Sequence, residues 1–97
     1  MQLDKSDAAR AWLRKALRDL DSADRLCKDS PPFTDTALFH AQQAAEKSLK
    51  AFLTYHEVSF EKTHDLEEIS GQILEIDSTL EPLLKRVSVL TPFAVVF

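Results

Sequence analysis

A chain of 97 residues leaves room for one domain, residues 1–97, whose core is modest because it buries only roughly two thirds of the extended-chain surface. A single Gly speaks against sandwiches and barrels, whose tight turns need positive φ, and excludes a glycine-rich phosphate loop. Twelve Lys and Arg against 16 Asp and Glu give a net charge of −4, which excludes indiscriminate coating of nucleic acid or anionic membrane but not a local basic groove.

The balance of 44% hydrophobic and 29% charged residues is that of an ordinary folded domain, and the scarcity of Gly makes all-α the leading class. Cys27 stands alone, and no Cys/His grouping has zinc-site spacing, so neither a metal nor another cofactor is expected. The polar start MQLDKSD is not that of a signal peptide, and no apolar run reaches spanning length. The expected setting is the cytoplasm, away from any membrane.

The first predicted helix covers residues 5–28. Ala9, Leu13, Ala16, Leu20, Ala23 and Cys27 recur at steps of four and three, and Trp12 and Leu17 widen the stripe. Ser6 or Asp7 is the expected cap, and Ser30-Pro31-Pro32 the stop. Opposite lies a face with Arg10, Arg14, Arg18 and Arg25 interleaved with acids. Asp21 with Arg25 and Asp24 with Lys28 have ion-pair spacing, so this face reads as salt-bridged and solvated rather than as an RNA-tracking stripe.

A second helix is predicted over residues 34–56, capped by Thr34 or Asp35. Its inner arc is Ala37, Leu38, Ala41, Ala44, Ala45, Ser48, Leu49, Phe52 and Tyr55, small at one end and bulky at the other. Phe39, Gln43, Glu46 and Lys50 form the predicted outer face, where an outward Phe39 suggests a second buried surface and hence a dimer or partner. Phe60 is the expected anchor of the following loop. A third helix is predicted from about His64 to Ile76, with Thr63 as cap and Leu66, Ile69, Ile73 and Ile76 inward; Gly71 falls on its outer side. A short fourth helix begins near Ser78 or Thr79, holds Pro82 in its first turn and buries Leu80, Leu83, Leu84 and Val87. The ending Phe93-Ala94-Val95-Val96-Phe97 is apolar, as expected of a docked extended segment or of a domain that continues further.

Three histidines are the candidates for acid–base or ligand chemistry. His40 and Lys47, seven apart, project from one flank of the second helix, away from Lys50. His56 suits the negative end of that helix. His64, between Thr63 and Asp65, sits where a helix N-terminus favours neutral imidazole.

Two segments carry a family resemblance. FHAQQAAEKSLKAFL, from Phe39 to Leu53, followed by KTHDL, from Lys62 to Leu66, closely resembles the prokaryotic HEPN domains, and Ala11-Trp12-Leu13 with Asp19-Leu20 and Ala23 matches their first helix. The resemblance spans nearly the whole chain. It implies an up-and-down helical bundle that forms a homodimer, four of its helices lying in this chain and a fifth being expected after it. It also implies association with a minimal nucleotidyltransferase, often within a toxin–antitoxin pair, and contact with a nucleotide or RNA. The matched positions Gln43, Glu46, Lys47, Lys50, Thr63 and His64, with His40 and Phe39, are then the binding candidates.

HEPN ribonucleases place an Arg, four to six residues, then a His, paired across the dimer. No Arg precedes His40, His56 or His64 in that way, and no His follows Arg86. The resemblance therefore assigns no catalytic residue within residues 1–97 and favours a binding module. The alternative is a ribonuclease toxin whose Arg/His motif lies beyond Phe97. The 97-residue chain is accordingly predicted to cleave no RNA above a buffer control, with His64→Ala making no difference; gel-resolved cleavage of a mixed-sequence RNA checks this.

Overall fold

The computed structural model describes residues 4–60 and 65–93. It contains four helices, α1 (Lys5–Lys28), α2 (Thr34–Tyr55), α3 (Leu66–Ile76) and α4 (Glu81–Ser88), with 3-10 turns at Ser78–Leu80 and Thr91–Phe93. No strand occurs among the described residues, and the chain has the all-α class that its scarcity of Gly favours and the helical bundle that the resemblance implies.

Alanines at intervals of seven hold the first two helices together. Ala9, Ala16 and Ala23 are the buried residues of α1, and Ala37, Ala44 and Ala51 are buried on α2. The helices run antiparallel, so Ala9 lies across from Ala51, Ala16 from Ala44 and Ala23 from Ala37. A seam of methyl groups lets helix axes approach toward about 8 Å, the short end of the usual range. Leu13, Leu17 and Leu20, expected in the core, flank this seam and remain 45%, 64% and 55% exposed, and Cys27 is exposed too.

The main core lies on the other side of α2. Leu53, Ile69, Ile73 and Leu84 are buried together, and Leu49, Phe52, Val58, Phe60, Leu74 and Leu80 pack around them. Each fully buried Leu or Ile contributes about 1.5–3 kcal/mol from removal of apolar surface from water. α2 is thus a middle layer, with α1 on one face and α3 and α4 on the other. That arrangement overturns the outer face predicted for α2: Glu46 and Lys50 are buried and Gln43 and Phe39 half-buried, with α3 packed on α2 and Trp12 and Phe60 closing over Lys50. Ser48 and Tyr55, expected inside, are exposed on the hairpin's open flank. Ile76 and Leu83 are exposed at the margin of the core, Val87 is half-buried, and in α4 only Leu84 is fully enclosed.

Helix ends follow local chemistry, though several caps shift from the predicted residue. Asp4, not Ser6 or Asp7, caps α1, accepting from the Asp7 backbone N–H at 2.8 Å. Phe33 occupies the cap position of α2 without a side-chain bond, so neither Thr34 nor Asp35 performs that role. Asp65 caps α3 by accepting from the Glu67 N–H at 2.9 Å, which starts the helix at Leu66; the predicted cap Thr63 and start His64 lie outside the described residues. Asp77 accepts from the Thr79 N–H and hydroxyl, and these bonds hold its carboxyl below the usual carboxylate range. The docking expected of residues 94–97 also falls outside the described residues.

α2 ends in a Schellman turn. The Val58 N–H donates to the Leu53 carbonyl at 3.0 Å and the Glu57 N–H to the Thr54 carbonyl at 3.1 Å, while Val58 packs against the Leu53 cluster. The turn requires positive φ at Glu57, observed at 58°, where a side chain normally disfavours the conformation. Glu57→Gly is therefore expected to stabilise the fold by about 1 kcal/mol, read as a higher urea midpoint with unchanged slope.

Candidate functional site

The alanine seam has two unlike flanks. Viewed down α1, Asp19, Lys15 and Ser22 fall on one side of Ala16, and Leu13, Leu17 and Leu20 on the other. On α2, His40 and Lys47 fall on one side of Ala44, and Ala41, Ala45 and Ser48 on the other. Antiparallel packing brings like flanks together, giving a polar cleft on one edge and an apolar groove on the other.

The polar cleft has a volume of about 330 Å³ and is lined by Lys15, Arg18, Asp19, Ser22, His40 and Lys47. Asp19 organises it. His40 Nδ1 donates to Asp19 Oδ1 at 2.9 Å, and the Lys47 ammonium donates to Asp19 Oδ2. The Asp19 side chain is only 13% exposed. Burial works to raise its carboxyl pKa, but the bonds from Lys47 and His40, with their charges, outweigh that and hold it below the usual carboxylate range. The predicted pairing of His40 with Lys47 on one flank is thus realised, through a carboxylate on α1 that spacing along α2 does not reveal.

Lys50 lies elsewhere, as predicted, but inside rather than on the surface. Its side chain is 7% exposed, with the ammonium 3.7 Å from Glu46 Oε1, 5.5 Å from the Trp12 ring centroid and 5.6 Å from that of Phe60. Trp12 and Phe60 meet edge to face at 5.9 Å, which makes Phe60 the anchor expected of the loop. Such a cation is stabilised by ring faces and one carboxylate in place of water. Glu46 and Lys50 therefore belong to the packing between layers. Gln42, fully buried, accepts at Oε1 from Gln43 Nε2 at 2.7 Å, while its own Nε2 meets no acceptor among the described residues. Neither its burial nor its role is legible from helical spacing, because Gln42 looks like one more polar residue beside Gln43.

Phe39 sets its ring edge-on to His40 at 5.3 Å and is half-buried, so it is not the outward apolar surface expected of it. His56 is the C-cap residue of α2, with its ring 4.4 Å from Phe52, as its predicted place at the helix end requires. Thr63 and His64 lie outside the described residues. On the basic face of α1, Arg25 and Lys28 have the carboxylate neighbours expected, Asp21 at 3.2 Å and Asp24 at 2.8 Å, and Arg10 lies 4.0 Å from Asp7. Arg14 and Arg18 have no carboxylate neighbour among the described residues, which corrects the reading of that whole face as salt-bridged.

The apolar groove runs the length of the hairpin as three adjoining hollows of about 380, 500 and 490 Å³. Leu13 and Ser48 are shared by the first two, and Leu20 and Ala41 by the last two. Leu90, just before the Thr91–Phe93 turn, lines the central one. Among the described residues no group of His, Cys, Asp and Glu has the geometry to hold a metal ion, and no helix is long and apolar enough to cross a membrane.

A helical hairpin with a polar cleft, an apolar groove and a short helical layer behind it defines a small α-helical module of the HEPN type. The family model for the HEPN domain matches residues 9–96, and the chain belongs to that family. HEPN domains commonly dimerise and are often linked to ribonuclease or toxin–antitoxin roles. Neither a curated protein nor a solved structure gives a match.

The Asp19 cluster should be measurable as stability. Asp19→Asn removes the charge that His40 and Lys47 share and is expected to cost about 1–2 kcal/mol at neutral pH. A carboxyl whose pKa is depressed by folding lends stability that is present above its ordinary value of 3.8 and disappears as pH falls through the lower folded-state value. The difference in urea midpoint between wild type and Asp19→Asn is therefore flat from neutrality down to about pH 5 and closes only below about pH 4.

Proposed function

We propose that this chain is a dimeric HEPN module that associates with a minimal nucleotidyltransferase and engages a nucleotide or RNA, in a system of the toxin–antitoxin type. The observation that carries this reading is the exposed apolar groove. Leu13, Leu17 and Leu20 stand beside Ala41, Ala44 and Ala45 along a helical hairpin about 36 Å long, and contiguous apolar surface of that kind marks a protein contact. The small residues of α2 provide a floor and the leucines of α1 a wall, a shape suited to a helix from a second subunit. The family's habit of dimerising supports the same assignment.

The other reading, a ribonuclease whose Arg/His motif follows Phe97, draws on the family's link to ribonuclease activity. The reading frame after Phe97 decides between the two: an Arg, four to six residues, then a His in a following helix favours the nuclease.

Leu17→Glu places a charge on the groove wall at a position 64% exposed, so the fold tolerates it while self-association does not. Sedimentation is expected to show a dimer for the wild type and a monomer for Leu17→Glu, with the same helix content by circular dichroism. Pull-down and calorimetry with the nucleotidyltransferase encoded beside this chain are expected to show a complex at micromolar concentration. Absence of any complex there would remove the partner from the reading.

A further inference from the structure

We infer that the polar cleft between α1 and α2 is a phosphate-binding site, in which Arg18, Lys15, Lys47 and His40 receive the phosphate monoester of a nucleotide and Asp19 holds the last two in position. This rests on the reading of the chain as a nucleotide- or RNA-associated module and assigns that contact to particular residues.

The charges support it first. Lys15, Arg18 and Lys47 against Asp19 leave the cleft at +2 with neutral imidazole, on a protein whose overall charge is −4. Three cations gather around one carboxylate whose two oxygens are already occupied, one by His40 and one by Lys47. Arg18 lacks a carboxylate of its own among the described residues, whereas Arg10, Arg25 and Lys28 on the same helix each have one. A guanidinium fork with no carboxylate partner among the described residues, lining one cleft with two ammonium groups, matches an oxyanion with several acceptor oxygens.

The remaining donors fit as well. His40 spends Nδ1 on Asp19, which leaves Nε2 for a ligand. Lys47 gives one of its three N–H donors to Asp19 and retains two. Ser22 adds a hydroxyl to the wall. A volume of about 330 Å³ is at the lower end for small-molecule sites, which suits one nucleotide rather than an extended strand. Asp19 touches no phosphate in this arrangement. It is a positioning residue, and its negative charge is neutralised by the two groups it aims.

Both a free mononucleotide and the 5′ end of an RNA present this monoester. Calorimetry on the full chain would use 5′-AMP, adenosine, and a ten-nucleotide RNA with either a 5′-phosphate or a 5′-hydroxyl. Trp12 supplies a second readout, because it is the only Trp and the Lys15 ammonium lies 5.2 Å from its ring, so drawing Lys15 toward a ligand alters its fluorescence. The expected result is binding of 5′-AMP but not adenosine, weakened by salt. Tighter binding of the 5′-phosphorylated RNA than of 5′-AMP identifies the RNA end as the source, and equal binding identifies the mononucleotide.

Arg18→Gln with Lys15→Gln is the decisive variant, because both residues are exposed and neither side chain bonds to Asp19; circular dichroism checks that the fold is kept. It is expected to weaken 5′-AMP at least about tenfold. His40→Gln, read alongside it, should weaken binding less. Equal binding of adenosine and 5′-AMP, or unchanged affinity in the double variant, would overturn the site while leaving the module reading intact. No binding of any probe at millimolar concentration, with the nucleotidyltransferase complex still forming, would overturn the site together with the nucleotide half of that reading.

Discussion

The alanine seam between α1 and α2 is the constraint on which the rest of the structure depends. Three methyl-sized contacts, Ala9 with Ala51, Ala16 with Ala44 and Ala23 with Ala37, set how closely the helices approach. Close approach allows a side chain as short as aspartate to reach across from α1 to both His40 and Lys47. With leucines at those positions the axes would stand further apart, and Asp19 would face water instead of two donors. The same economy has a cost: alanines bury little apolar area, so the hairpin relies on α3 and α4 for most of its hydrophobic stabilisation.

Those two short helices convert α2 into a middle layer. Leu53 faces Ile69, Ile73 and Leu84, while the Ala37–Ala44–Ala51 stripe faces α1. A helix covered on both sides carries its polar residues inward, and each then requires a partner. Lys50 finds Glu46 and the rings of Trp12 and Phe60. Lys47, nearly one turn earlier, finds Asp19 at the edge of the cleft, where a quarter of its side chain still meets solvent. Two lysines three residues apart thus differ in character: one is a packing element, the other a group free to meet a ligand.

The open flank of the hairpin has the opposite character. Leu13, Leu17 and Leu20 project past the seam rather than into it, where the small Ala41, Ala45 and Ser48 form the floor of the central hollow and Leu90 lines it as well. Exposed leucines along a concave groove give the molecule an adhesive edge, and the charged cleft on the far edge stays accessible when that groove is covered. The proposed protein contact and the proposed phosphate contact therefore lie on opposite edges of one hairpin, separated by the width of the seam.

Local patterning by itself determined the number of helices, their approximate limits and the HEPN resemblance, since periodicity, helix-breaking prolines and the QQAAEKSLKAF and THDL segments are all short-range features. The spacing of seven between His40 and Lys47 likewise suffices to place them on one flank of α2. Only the tertiary structure decided which face of α2 is outside, and it made Glu46 and Lys50 interior, with Trp12 from far earlier in the chain and Phe60 from the following loop closing over Lys50. It alone recruited Asp19 and left Arg18 without a carboxylate partner among the described residues, and it alone kept the leucine stripe of α1 exposed. Periodicity reports that a helix has an apolar face; which neighbour covers that face, and how closely, is set by contacts between residues far apart in sequence.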